Sequence, residues 1–266
     1  MQWGDFDDTT DLEDYLKSHT TRILLGFNEP MIAGKDGGCA MTPTRAAELW
    51  PTMEALAKRY NVKLGSPSLT YGYEEIEGTT YGSPEAWMDE FINEYKRLND
   101  GRAPRFDYIV LHSYMNWPIA VNNFVNNYSK RYKVKVYLTE FCAWEENVYD
   151  PWNDINTLEK EKFLDYSFQQ ASMTQKVEAM DQNPNVAGYA WFIANGNTDK
   201  TPWNALYSGS SLTEIGKTYS FMSTSNTKKY YVPDTFIPAA QYVSSSNYVS
   251  KEEDPFKNRI IYGSST

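Results

Sequence analysis

The sequence predicts an α/β fold, a (β/α)8 TIM-barrel, and three observations predict it. Short, almost continuously apolar runs alternate with stretches of helical periodicity, which is how strands covered on both faces read. No hairpin signal separates the runs, so consecutive strands are expected to pair in parallel through helical crossovers. An open doubly wound sheet would give the same alternation, but it ordinarily carries a glycine-rich phosphate loop after a strand. None is present here. A barrel instead places its chemistry at the C-terminal ends of its strands, where this sequence puts its unusual residues.

The expected strands are residues 23–27 (ILLGF), 62–66 (VKLGS), 108–112 (YIVLH), 134–139 (VKVYLT) and 186–192 (VAGYAWF). Between them, Thr42 and Pro43 read as an N-cap and first helical residue. Leu49, Trp50, Met53, Leu56 and Tyr60 follow on one stripe, with Pro51 expected to kink the helix. Ser83 and Pro84 repeat the cap signal ahead of Trp87, Phe91, Tyr95 and Leu98. Another helix is expected from near Ile119 to Tyr132, and a long one capped by Asn156 and running through Phe163, Phe168 and Met180. Residues 212–222 read as the last helix.

Composition narrows the function. The net charge is −10 with scattered Lys and Arg, which disfavours nucleic acid and anionic membranes as partners and suits a neutral ligand. No apolar run is long enough to span a bilayer, and the first residues, MQWGDFDD, do not read as a signal peptide. Aromatic residues make up 15% of the chain, 21 Tyr and 8 Trp among them. Such rings build cores, and their faces also stack on the C–H faces of sugars. With only two histidines and two cysteines, neither a His-rich metal centre nor a disulfide scaffold is expected. No metal or cofactor is expected.

Two glutamates stand at strand exits. The run 23–27 leads into Asn28-Glu29-Pro30, and the run 134–139 leads into Glu140-Phe141. A carboxylate at the end of an apolar strand is costly to desolvate. Glu29 shares the parity of Ile23, Leu25 and Phe27, and Glu140 that of Val134, Val136 and Leu138. A lone glutamate of this kind reads as a salt-bridged or solvated strand end. Two of them suggest the paired carboxylates of glycoside cleavage, one protonating the leaving oxygen while the other attacks the anomeric carbon.

Six segments, LLGFNEP (24–30), TPTRAAELWP (42–51), KLGSPS (63–68), DYIVLHSY (107–114), YLTEF (137–141) and GYAWF (188–192), appear in order. Together they resemble glycoside hydrolase family 128, clan A β-1,3-glucanases with the glycosyl hydrolase catalytic core, over about residues 1–222. The resemblance implies Glu29 as acid/base on barrel strand 4, Glu140 as nucleophile on strand 7, and Asn28 on the sugar 2-hydroxyl. Strict alternation would point Asn28 away from the face of Glu29, so a break in the pleat is expected there. His112 and Tyr114 match the end of strand 6, with Ser113 where the family has an aromatic residue, and Tyr114 is expected to donate to Glu140. Trp191 would floor the subsite at the cleavage point. Trp3, at a match to the strand 3 exit, and the loop residues Trp117, Trp144, Trp152 and Trp203 are candidate sugar platforms.

The resemblance implies a retaining endo-β-1,3-glucanase acting on laminarin-type glucan, monomeric, and secreted or periplasmic. The alternatives are a clan A hydrolase of mannan or xylan, or a glucan-binding protein impaired in catalysis. If Ile23 opens strand 4, the first strands are missing and the barrel is incomplete, with unpaired edges. Residues 1–222 would form the catalytic barrel and 223–235 a linker. Residues 236–266 would open a carbohydrate-binding β-sandwich or form a short β-type extension. Cys39 and Cys142 are expected as free thiols near the strand exits, a disulfide being the alternative.

Overall fold

A computed structural model describes residues 1–34, 37–143, 166–195 and 204–222. The chain divides into two compact units, Met1–His112 and Ser113–Thr266. The expected start of the long helix at Asn156, the linker, the C-terminal extension, Trp144, Trp152 and Trp203 lie outside the described residues.

The first unit holds α1 (Thr10–Ser18), β1 (Ile23–Leu24), α2 (Pro43–Arg59), β2 (Lys63–Leu69), a small hairpin of β3 (Glu75–Ile76) and β4 (Thr79–Thr80), α3 (Pro84–Leu98) and β5 (Tyr108–Ser113), whose last residue opens the second unit. Both expected caps form: Thr42 accepts from the Arg45 N–H and Ser83 from the Ala86 N–H, each with proline at the start of the helix. Helix α2 runs from Pro43 to Arg59 with Pro51 inside it.

β1 pairs in parallel with β2, and β2 with β5. Regular pairing of β1 stops at Leu24, short of the expected 23–27. It resumes as a single bridge between Asn28 and Ser68. Pro67 explains the gap, because it has no N–H to give the ladder. On the β5 side, the Ser66 hydroxyl fills the place of the missing ladder bond. It accepts from the Val110 N–H at 2.9 Å and donates to the Pro67 carbonyl at 2.8 Å.

Rings fill the core of this unit. Phe27 meets Trp50 edge-on at 5.9 Å, Trp50 meets Phe91 at 5.4 Å, and Phe91 stacks on Trp87 at 5.9 Å. Trp50 and Trp87 donate their indole N–H groups to the carbonyls of Arg105 and Met41, so neither is buried with an open donor.

The second unit holds α4 (Pro118–Tyr132), β6 (Val136–Phe141), α5 (Tyr166–Gln182), β7 (Val186–Trp191), a second hairpin of β8 (Tyr207–Ser208) and β9 (Ser211–Leu212), and α6 (Glu214–Phe221). β6 pairs in parallel with β7. Gly188 permits this, since a Cβ there would lie 2.5 Å from the ring of Tyr137. β6 lies two residues later than expected, so Glu140 stands inside the strand rather than just past it. The last helix also starts later. Thr213 caps it by accepting from Gly216, and Leu212 belongs to β9.

The two hairpins correct the expectation of none. Glu77 and Gly78 both have positive φ, +50° and +77°, the backbone of the tight turn that matches strand twist.

Candidate active site

In the first unit the chain around Glu29 is held on both edges. The Leu25 carbonyl accepts from Gln2 at 3.0 Å, and the Asn28 N–H donates to the Trp3 carbonyl at 2.7 Å. On the other side the Ser68 N–H reaches the Phe27 carbonyl at 2.7 Å. Gly26 allows this close approach, because a Cβ there would lie 2.8 Å from the Ser66 carbonyl oxygen.

Glu29 has φ +42°, so the strand alternation ends at Asn28. This is the break in the pleat that the sequence requires if neighbouring side chains are to serve one site. Glu29 is 9% exposed and His112 is fully buried. His112 Nδ1 lies 2.7 Å from Glu29 Oε1 and donates when that nitrogen carries the proton. Asn28 is buried, donates from Nδ2 to the Gly37 carbonyl at 3.1 Å, and leaves Oδ1 without a partner among the described residues. A buried acceptor left open is costly, and a ligand hydroxyl would satisfy it. Trp3 is 55% exposed.

In the second unit Tyr114 donates its hydroxyl to Glu140 Oε2, as expected, and packs its ring edge-on against Phe192 at 5.5 Å. Glu140 is half-buried between the buried Thr139 and Phe141. Ser113 is fully buried. Trp117 occupies the N-cap of α4 and is half-buried. Trp191, expected to floor the subsite at the cleavage point, is 1% exposed. Its indole donates to the Asn204 carbonyl at 2.7 Å, and its ring meets Phe141 edge-on at 5.1 Å.

Cys39 and Cys142 are both free. Burial pushes each thiol up to about 12, so neither supplies a thiolate near neutral pH.

Several residues escaped the sequence reading. Tyr71 and Tyr73, just past β2, are 64% and 45% exposed. Glu74 beside them fixes this loop, its carboxylate accepting from the Ala33 N–H at 2.6 Å and its N–H donating to the Met31 carbonyl at 2.9 Å. On α5, Gln169 and Lys176 are buried at 3% and 1% exposure. Their signal was readable, since they share helical spacing with the buried Met173 and Met180.

The comparisons agree with this architecture. Residues 1–219 match the family model of the glycosyl hydrolase catalytic core. No curated protein matches the chain. Among solved structures, the chain is similar to a family 128 (subgroup II) endo-β-1,3-glucanase from Pseudomonas viridiflava, with 31% identity, a TM-score of 0.66, and coverage of 82% of this chain and 77% of that one. A subgroup I endo-β-1,3-glucanase from Amycolatopsis mediterranei in complex with laminaritriose is 22% identical, with TM-score 0.57 and coverage of 80% and 76%. A subgroup VII oligosaccharide-binding protein from Cryptococcus neoformans is 23% identical, with TM-score 0.56 and coverage of 82% and 77%. At such identities these last two speak for the fold alone. The chain belongs to the glycosyl hydrolase catalytic core family and is a glycoside hydrolase of family 128, on a fold of the (β/α)8-barrel type.

Proposed function

We propose that this protein is a retaining endo-β-1,3-glucanase in which Glu29 is the acid/base and Glu140 the nucleophile. The observation that carries the reading is that each glutamate has its own partner from the exit of β5. His112 lies against Glu29 and Tyr114 donates to Glu140. The endo-β-1,3-glucanase activity of the Pseudomonas viridiflava relative supports the choice of linkage.

In the first step the Glu140 carboxylate attacks the anomeric carbon while the Glu29 carboxylic acid protonates the departing oxygen. A glycosyl ester on Glu140 results. Water, deprotonated by Glu29, then opens that ester and restores the original anomeric configuration. His112 and Tyr114 hold the two carboxyl groups in the orientations these steps need. The open Asn28 Oδ1 accepts a sugar hydroxyl, and exposed rings such as Trp3 stack on glucosyl faces. A polymeric glucan places the enzyme outside the cytoplasm.

A second reading is non-hydrolytic glucan binding, since the same fold occurs in a subgroup VII oligosaccharide-binding protein. Hydrolysis assays on laminarin, mannan and xylan separate the readings. Turnover is expected on laminarin, with β-configured first products by NMR. Glu29→Gln and Glu140→Gln are each expected to lower kcat by about 10²–10⁴-fold while oligosaccharide binding persists. Binding without turnover in the wild type would establish the second reading. Turnover on mannan or xylan alone would overturn the linkage.

A further inference from the structure

Helix α5 is buried along nearly its whole described length, and one of its buried residues is a lysine. Lys176 Nζ donates to the Met115 carbonyl at 2.5 Å and to the Cys142 carbonyl at 3.0 Å. Two turns earlier, Gln169 holds Ala143 from both sides. Its Oε1 accepts from the Ala143 N–H at 3.3 Å and its Nε2 donates to the Ala143 carbonyl at 2.5 Å. A backbone bond from the Cys142 N–H to the Ser113 carbonyl, 3.3 Å long, joins the same two chain segments directly.

The carbonyls bound by Lys176 belong to particular segments. Met115 follows Tyr114 directly, and Cys142 lies two residues past Glu140. One ammonium therefore ties the exit of the strand bearing Tyr114 to the exit of the strand bearing Glu140.

Stability alone does not call for a lysine at this place. Withdrawing an ammonium from water costs several kcal/mol, which offsets much of what its two hydrogen bonds contribute. Methionine would fill the same volume, as Met173 and Met180 do on the same stripe. What methionine could not do is fix two carbonyls from separate strand exits to one point. The pair most sensitive to that fixing is Tyr114 and Glu140, whose hydrogen bond orients the carboxylate. A misplacement of about 1 Å at a reacting group can lower a rate about 10²-fold.

We propose that Lys176 is a positioning residue for the nucleophile, acting through the two carbonyls it binds and so through the Tyr114–Glu140 hydrogen bond. The proposal rests on the assignment of Glu140 as nucleophile.

The test uses the full chain as wild type, Lys176→Met, Lys176→Gln and Glu140→Gln. For each, kcat and KM on laminarin, the melting temperature and laminari-oligosaccharide affinity are measured. Lys176→Met is expected to lose about 30–100-fold in kcat with KM within about twofold, and to melt only a few degrees below wild type, because relief of the buried charge offsets part of the cost of two open carbonyls. Lys176→Gln keeps donors for the carbonyls and is expected to recover part of that loss. A purely structural role would instead disturb KM and affinity together with kcat, and that result overturns the proposal.

Wild-type kcat in Lys176→Met, with Glu140→Gln inactive, removes the role of Lys176 and leaves the nucleophile in place. An active Glu140→Gln removes the nucleophile assignment and the proposal with it. If Lys176→Met does not fold, Lys176→Gln decides. A several-fold drop in kcat at constant KM and melting temperature supports the proposal, and a kcat within about twofold of wild type overturns it.

Discussion

Glu29 sits in the left-handed region at φ +42°, a conformation that costs an L-residue other than glycine about 1–2 kcal/mol. The surrounding chain holds it there. Its carbonyl accepts from the Ile32 N–H at 2.9 Å, and Gly38 passes so close that a Cβ would lie 2.5 Å from that same oxygen. Strain at such a position is tolerated where the geometry serves chemistry. Two other site residues allow sharper tests. Tyr114→Phe removes a hydrogen bond to a carboxylate, of the order of 1.5–3 kcal/mol, so kcat on laminarin is expected to fall about 10–100-fold. Asn28→Ala removes a neutral acceptor, and kcat/KM is expected to fall about tenfold. Steady-state kinetics checks both. Parity and strand-exit position marked Glu29 in the sequence and the family resemblance marked Asn28 and Tyr114, whereas the left-handed turn that reorients Glu29 depends on contacts from Gly38 and the 30–41 loop.

Elements follow local chemistry where that chemistry is short-range. The Thr-Pro and Ser-Pro caps are written in adjacent residues, and α2 and α3 start where those residues dictate. Thr42→Ala and Ser83→Ala should each cost about 1 kcal/mol, a fall of roughly 2–4 °C in melting temperature by calorimetry. β2 is different. Its Pro67 would ordinarily argue against an interior strand, and the strand survives because Ser66 takes over the Val110 N–H. Ser66→Ala leaves that buried donor open, so its cost should be about 1–3 kcal/mol, at least matching either cap. The hairpins were missed for a related reason. Each strand has only two residues, too few for alternation to show, and Glu77-Gly78 is a weaker turn signal than Asn-Gly or Asp-Gly.

At the scale of the molecule, the ends of the strands divide the labour. Glu29 and Glu140 stand at C-terminal ends, and Asp107 stands just before β5, at the other end. Asp107 accepts from the Leu64 N–H at 2.9 Å and pairs with Lys63 at 3.3 Å and Arg105 at 3.2 Å. Burial pushes its carboxyl upward, but the Leu64 N–H, Lys63 and Arg105 together outweigh that and hold it below the usual aspartate range. A group with a lowered folded-state pKa stabilises the fold above its unfolded value and loses that contribution as pH falls through the folded value. Asp107→Asn should therefore melt below wild type near neutral pH, with the gap closing as pH falls through about 4 towards 2. Its kcat on laminarin at neutral pH should match wild type. A gap that widens in acid would contradict this account.

The sequence by itself determined the alternation of strands and helices, the caps, both strand-exit glutamates and, through the family motifs, His112 and Tyr114 as site candidates. All of these rest on short-range periodicity or on contiguous motifs. Tertiary structure alone decided that Glu140 lies within β6, that Trp191 is enclosed and that Ser66 stands in for Pro67. It also decided that Lys176 binds two carbonyls more than thirty residues away in the chain. These depend on which groups meet after distant segments fold together, and no local pattern specifies which buried donor reaches which carbonyl.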